Sequence, residues 1–527
     1  MKTRLALLLS GLLIVAGCST APSEPGPPTR DLDPTSEPAP PGPAERLGLT
    51  AGWGPSVDQL DRAVRLTNRL SLEELAGQVI VAAYAGTAAP IELVTELHLG
   101  GVIVFAANVN SAEQIGGSNA RLHREVPRRW PLFVAVDQEG GIVARLSDAV
   151  PPLPTFMTAG AADDAGLTEA VMRVLGADLR SLGFTVDFAP VADVTSGPED
   201  PTIGSRSAGA DPELVARQSA AAAAGFVAAG VLPVLKHFPG HGSVPADSHV
   251  ELPVQQRSRA ELDAIDLVPF AGTEAPAVMV GHLDLRAVDP GTPSSLSRPV
   301  VTGILREDLG YGGLVVTDAL DMAGVAQGRS DREVAVAALR AGADVLLMPR
   351  DPRAARDGIV AAVEGGELPR RRLRQAAARQ VAALLWQAEL AEAAGVPDAD
   401  AVAAWSRAAV TLVVGPCSGR LVGERVQPVG DRAAVAAFAQ AAQRAGLEVG
   451  GGDVVAFTGF RGPAVTGDVA VATDTPYVLG RSSAPVKIAT YGATPAAMDA
   501  LVAVLLGETR AVGTLPVPVP DVPTPSC

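Results

Sequence analysis

The chain has 527 residues, of which 47% are hydrophobic and 19% charged, with a formal net charge of −16 and three cysteines. That acidity excludes a nucleic-acid partner, whose phosphates would be repelled, and no cysteine cluster has metal-ligand spacing. The length exceeds one ordinary domain and suffices for a large domain with a smaller one beside it.

Residues 1–18 read as a lipoprotein signal peptide. Lys2 and Arg4 form a basic start, Leu5 to Val15 is an apolar run too short to span a membrane, and Val15-Ala16-Gly17-Cys18 resembles a lipobox, in which Cys18 is cut free and acylated. Residues 19–50 read as a disordered tether. Nine of the thirty residues from 19 to 48 are proline and almost nothing there can be buried, so the segment cannot offset the entropy of folding. An extracytoplasmic protein held to the membrane by its lipid is expected.

Residues 51–395 read as a (β/α)₈ barrel of the TIM type. Eight β-branched runs, at 77–84, 101–106, 131–136, 184–191, 231–235, 276–281, 313–317 and 343–348, alternate with Ala/Leu-rich helical stretches. They are continuously apolar, as parallel strands buried on both faces are. Asp137 follows the third run, Lys236 and His237 the fifth, His282 the sixth and Asp318 the seventh. Polar groups at the carboxyl ends of barrel strands are where such folds carry chemistry. The helical segment 369–393 is expected to lead out of the barrel.

Residues 396–527 read as a small α/β sandwich, with strands at 409–415, 453–457, 468–472 and 486–490 and helices at 431–445 and 495–507. No catalytic cluster is evident in it. Of the cysteines that follow Cys18, Cys417 and Cys527 either pair as a disulfide or stay as two thiols.

The densest polar segment is Lys236-His237-Phe238-Pro239-Gly240-His241-Gly242-Ser243-Val244-Pro245-Ala246-Asp247-Ser248-His249, which holds three of the chain's six histidines. His237 and His241 have the spacing of a helical metal pair, but Pro239 and Gly240 between them break any helix, so no metal and no cofactor is expected. Asp247 and His249 are two apart, so on an extended segment they point the same way. A carboxylate beside an imidazole orients the ring, which can then give and take a proton. A loop hydrogen bond without a catalytic part is the plainer alternative for that pair alone. Asp318, in Val315-Val316-Thr317-Asp318, stands where a carboxylate can attack an anomeric carbon, or where it merely caps a helix.

Four motifs in order resemble glycoside hydrolase family three, in its NagZ-type β-N-acetylglucosaminidase branch. They are the loop just quoted, Val136-Asp137-Gln138-Glu139-Gly140-Gly141 with Arg145, Asp187-Phe188-Ala189-Pro190-Val191-Ala192-Asp193-Val194 with Gly204-Ser205-Arg206-Ser207, and Thr317-Asp318 with Leu320 and Met322. The family also has lipoprotein members. The resemblance implies Asp318 as nucleophile, His249 as acid/base and Asp247 as its partner. It implies Asp137, Arg145, Arg206, Lys236 and His237 as contacts to the terminal sugar. Two departures, Ala319 for a carboxylate and Ser243-Val244 for Asp-Thr, bear on loop geometry. Ile488 to Gly492, Leu506 to Glu508 and Gly513 to Val517 resemble the family's closing motif in its second domain.

The implied activity is retaining, exo-acting removal of terminal β-linked N-acetylglucosamine from peptidoglycan fragments by a monomer. The rivals are a β-glucosidase or β-xylosidase of the same superfamily, which lack the D-S-H loop, and a non-catalytic lipoprotein that binds cell-wall sugars. Phosphate in place of water as acceptor is a further option, since a neutral histidine repels an anion less than a carboxylate would.

Overall fold

In a strand buried on both sides, alternate side chains point to opposite faces, and the eight apolar runs sort in that way. A computed structural model describes residues 40–522 except Asp148, Pro245, His249 and Gln327. Strands β1 (Ile80–Ala83), β2 (Gly101–Val104), β3 (Phe133–Val136), β4 (Val186–Asp187), β5 (Leu232–Phe238), β6 (Ala277–Val280), β7 (Leu314–Thr317) and β8 (Leu346–Leu347) fall one to each predicted run, with β5 continuing past its run through Lys236 and His237. All pair in parallel, in the order β7-β6-β5-β4-β3-β2-β1-β8. A bridge between Val316 and Val345 closes the ring. Phe133, Ala135, Val234, Met279 and Val316 fill the interior, whereas Val134, Val136, Leu235, Val280 and Val315 pack outward against helices. The helix Pro212–Ala229 shows how the connections are bounded. Asp211 Oδ1 accepts from the Leu214 N–H at 2.8 Å, Pro212 occupies the first turn, and Gly230 ends the helix at φ 78°.

The barrel's amino-terminal end is plugged by segments from far along the chain. Helix α1 (Pro43–Leu47) falls within the stretch 19–50 read as tether, and the folded unit starts at Gly42. Ala44, Leu47 and Leu49 are buried with Trp53 and with α2 (Val57–Thr67) beneath the barrel interior. The proline content obscured three apolar residues that together have a surface to cover. Helix α3 (Arg370–Ala393) does not lead away either. Its Ala378, Val381, Ala382 and Leu385 join the same core.

Asp344, fully buried at the start of the last strand run, ties this end together. Its carboxylate accepts from Arg306 at 2.6 Å, Arg379 at 2.8 Å, Arg372 at 3.0 Å and the Val315 N–H at 3.1 Å. Burial pushes the carboxyl up, but the three guanidiniums outweigh it and hold the acid below its ordinary value. Replacing Asp344 by Ala leaves three cations without their counter-charge, and a loss of about 3–5 kcal/mol is expected from urea unfolding. The depressed carboxyl contributes stability above the usual Asp range and loses it as pH falls through its folded value.

The second region forms a six-stranded sheet from β9 (Thr411–Val414), β10 (Arg425–Gly430), β11 (Glu448–Val449), β12 (Asp453–Thr458), β13 (Val469–Ala472) and β14 (Val486–Ala489), in the order β9-β14-β13-β12-β10-β11. β10 and β11 were not expected. β11 is the edge strand and β10 lies next to it, and both carry exposed residues, so neither forms a continuous apolar run. Helices α4 (Arg432–Arg444) and α5 (Pro495–Leu505) cover one face with Phe438, Met498 and Leu501. The other face closes partly on the barrel itself, where Met157 and Ala161 pack with Val413, Ala470 and Tyr491. Thr155 donates N–H and hydroxyl to the Tyr491 carbonyl at 3.0 and 2.8 Å, and Ala210 N–H reaches Pro516 O at 3.0 Å. Cys417 is disulfide-bonded. Cys18 and Cys527 lie outside the described residues, as do residues 1–18, read as signal peptide, and most of those read as tether. No helix among the described residues is long and apolar enough to cross a membrane.

Candidate active site

The carboxyl ends of the barrel strands surround a cavity of about 290 Å³. Asp137, Arg145, Arg206, Lys236, His237 and Asp318 all line it. The structure therefore brings together six of the eight residues inferred from the resemblance. Asp247 is half-buried on the neighbouring loop, outside that lining, and His249 lies outside the described residues.

A chain of charge runs along one wall. Lys236 Nζ donates to Asp137 at 2.6 Å and to Glu139 at 2.7 Å, and Arg206 donates twice to Glu139, both at 2.8 Å. Burial works against the Glu139 charge, but Arg206 and Lys236 hold its carboxyl far below the ordinary range. Burial likewise disfavours the Lys236 cation, and Asp137 and Glu139 more than restore it. Glu139 was quoted in a motif but given no part. It sits on a hairpin formed by Gln138–Gly140 and Val143–Ala144, and its function as hub depends on Arg206, 67 residues away.

His237 is set by Asp193, whose Oδ2 accepts the Nδ1–H at 2.7 Å while Oδ1 accepts the backbone N–H of His237 at 3.2 Å and of His241 at 2.6 Å. One buried carboxylate thus orders the whole turn from strand to loop. Burial raises Asp193, and the two histidines overcome that and lower it. The glycines of the loop are required by space. Gly240 has φ 118° and a Cβ there would lie 2.6 Å from Asp266, while at Gly242 it would meet Val194 O at 2.3 Å. Ser243, one of the two departures, donates to Asp266 at 2.8 Å and accepts from Gln255 at 2.6 Å, so the loop keeps an anchor.

His241 also faces the cavity, with Nε2 3.1 Å from Ser248 Oγ. Burial, reinforced by His237, pushes its pKa down to about 4. Asp318 follows β7 with its N–H on Val280 O at 2.9 Å, and its Oδ1 accepts the Ala319 N–H at 2.8 Å. The second departure, Ala319, acts through its backbone, since its carbonyl receives His282 Nε2 at 2.9 Å. His282 Nδ1 in turn meets Ser295 Oγ at 2.7 Å, so His282 clamps the turn that presents Asp318. Burial raises the Asp318 carboxyl, yet His237, His282, the Ala319 N–H and Lys236 hold it below its ordinary value. The group is an ionised carboxylate at neutral pH, as a nucleophile must be.

Asp187 lies beneath this wall with Oδ1 accepting the Gln138 N–H at 3.0 Å and Oδ2 without a partner among the described residues. Burial drives it well above the ordinary value, and Asp137 and Glu139 add to that. The carboxyl therefore favours its protonated form more than an ordinary aspartate does. A second cavity, of about 360 Å³, adjoins the first through Thr202 and is lined by Phe460, Arg461 and Arg481 of the second region. Arg461 donates to Pro201 O and Ser205 to Asp474. No group of three or more His, Cys, Asp or Glu able to hold a metal occurs among the described residues.

The model of the glycosyl hydrolase family 3 N-terminal domain matches residues 71–384. The beta-hexosaminidase LpqI of Mycobacterium tuberculosis is 34% identical over 392 residues, 69% of this chain and 92% of that one. Beta-hexosaminidase A of Pseudoalteromonas piscicida is 37% identical over 281 residues, 49% of this chain and 47% of that protein, so the chain spans about half the length of that relative. The solved glycoside hydrolase family 3 beta-N-acetylglucosaminidase from Paenibacillus sp. superposes with a TM-score of 0.77 at 31% identity, over 85% of this chain and 99% of that one.

Proposed function

The chain belongs to glycosyl hydrolase family 3, and from that premise we propose that it is an exo-acting β-N-acetylhexosaminidase that removes terminal β-linked N-acetylglucosamine by a retaining mechanism. Asp318 attacks the anomeric carbon and forms a glycosyl ester. His249, oriented by Asp247, protonates the leaving oxygen and then deprotonates the water that releases the sugar. Asp137, Arg145, Arg206, Lys236 and His237 bind the terminal ring, with Glu139 holding two of them in place.

The observation that carries this reading is the cavity itself. At about 290 Å³ it suits a single sugar ring, and the Asp318 carboxylate stands in its wall beside a row of donors and acceptors matched to hydroxyls. A site for one ring favours cleavage from a chain end. The leaving group is proposed to be N-acetylmuramic acid of peptidoglycan fragments, placing the enzyme in cell-wall turnover. Nitrophenyl N-acetylglucosaminide should be hydrolysed and nitrophenyl glucoside should not. Preference for the glucoside would replace this reading by the β-glucosidase one. Product analysis with a muropeptide, with and without phosphate, identifies both the leaving sugar and the acceptor.

The lipid anchor belongs to the same proposal. Cys18→Ala should release the protein from membranes, because acyl chains supply the attachment. Membrane association unchanged by that substitution would discard the anchor. The bond at Cys417 is proposed to join Cys527, which would pin the Pro-rich tail, and non-reducing peptide mapping reads it directly.

A further inference from the structure

The end of the barrel opposite the catalytic mouth holds a cavity of about 470 Å³. It opens among the segments that lead into β1, β2 and β3. Its charge is lopsided. Arg69, His98, Arg128 and Arg129 line it against one acid, Glu74, whose carboxylate is already engaged by the Ser71 N–H at 2.7 Å. In a chain of net charge −16 three arginines at one cavity run against the average.

Arg128 is the informative residue. Its guanidinium donates only to neutral groups, Leu99 O at 2.8 Å and Gln78 Oε1 at 3.5 Å, and its buried Nε has no partner among the described residues. The buried Trp130 indole N–H, whose ring lies 5.9 Å from the Arg128 guanidinium, is equally without one. Burial brings the Arg128 pKa down to about 10, so it remains a cation at neutral pH. Donors left unpaired at a cavity call for an anionic acceptor. The remaining wall is apolar, with Leu66, Leu70 and Val94, which suits a ligand that is anionic at one end and greasy at the other.

Position narrows the occupant. Helix α1 is held on α2 by Ala44 N–H to Asp61 Oδ1 at 2.8 Å. Leu66, in the cavity wall, lies five residues farther along α2, about 7.5 Å at helical rise. The folded unit therefore begins close to this cavity. From Gly42 back to Cys18 the sequence has 42 − 18 = 24 residues, a reach on the order of 75 Å for an extended Pro-rich chain. Under the anchor proposed above, the chain enters the folded unit beside this cavity.

We propose that this cavity seats the phosphate headgroup of an anionic membrane lipid, turning the amino-terminal end of the barrel to the bilayer and the catalytic mouth away from it. The phosphate meets the Arg128 guanidinium, Arg69 and Arg129 contribute from the rim, and the apolar wall takes the first part of the lipid chain. This rests on the anchor proposed above and not on the glycosidase reading, and a test made without the acyl chain separates it from both.

The probe is flotation of the full chain carrying Cys18→Ala, which has no acyl anchor, with vesicles of phosphatidylcholine alone or mixed with phosphatidylglycerol. Binding is expected to the mixed vesicles and to weaken as salt rises. Arg69→Gln with Arg129→Gln, two exposed changes that spare the fold, should lower that affinity about thirtyfold, at roughly tenfold or less per lost charge. Turnover of a soluble nitrophenyl glycoside should be the same in both proteins. Equal flotation with the two vesicle types overturns the proposal, as does unchanged binding by the double variant. Complete displacement by free glycerol phosphate would also overturn it, since the site would then serve a soluble anion and not a lipid.

Discussion

Asp318→Asn is expected to leave the fold intact and reduce turnover by about 10⁴-fold or more, at least about 5.5 kcal/mol of lost transition-state stabilisation. An amide has the shape of the carboxylate, and its oxygen can still accept the Ala319 N–H that Oδ1 now accepts at 2.8 Å. It cannot form the glycosyl ester, because the amide oxygen is a weak nucleophile and no anion develops. The surroundings sharpen the expectation. His237, His282 and Lys236 favour a negative charge at this point, and a neutral amide forfeits that. Unfolding by heat should change little while steady-state hydrolysis of a nitrophenyl substrate disappears. A fluorinated sugar that traps the ester should label Asp318 in the natural protein. Label on Asp137, Asp321 or another carboxylate would remove Asp318 from its role.

The second large effect concerns His249. His249→Ala should nearly abolish cleavage of a disaccharide, whose sugar alkoxide needs a proton to leave, and should spare the first step with a nitrophenyl substrate, whose phenolate leaves unaided. The glycosyl-enzyme would then hydrolyse slowly, so a burst should precede a low steady rate. Azide needs no general base. It should restore turnover and give a β-azide. Asp247→Ala should show the same pattern more weakly, since the ring stays and loses an orienting partner. The pH profile separates His249 from the other imidazole of the loop. His241 is held down to about 4 by burial, so it is neutral throughout the working range and has no proton to give. An acid/base group at His241 would make activity fall above about pH 4, whereas an ordinary imidazole titrates near neutrality. Equal loss of both substrates in His249→Ala with no azide rescue would make His249 a binding or structural residue.

What the sequence by itself determined is what neighbours along the chain decide. Eight continuous apolar runs specify strands buried on both faces, and the polar residues directly after them, Asp137, Lys236, His237 and Asp318, necessarily face the carboxyl end of the barrel. The motifs also placed Arg145 and Arg206 in the same cavity. The helix Arg370–Ala393 was legible as a helix but not in its direction, because alanines and leucines bury it on most sides and its pattern favours no single face. The plug at residues 42–50 was hidden by the proline-rich stretch that leads into it, since its few apolar residues become a surface only once the open end of a barrel lies against them.

Only the tertiary structure decided the charge states. Lys236 meets Asp137 across 99 residues, Arg206 meets Glu139 across 67, and His237 meets Asp193 across 44. Whether Glu139 is a charged hub, the Asp187 carboxyl is pushed up or His241 is an unprotonated ring depends on how much water each loses and which ion lies within a few ångströms. Periodicity is local and survives in the sequence. Desolvation and Coulomb attraction depend on distances in space, which exist only once the ring of strands has closed.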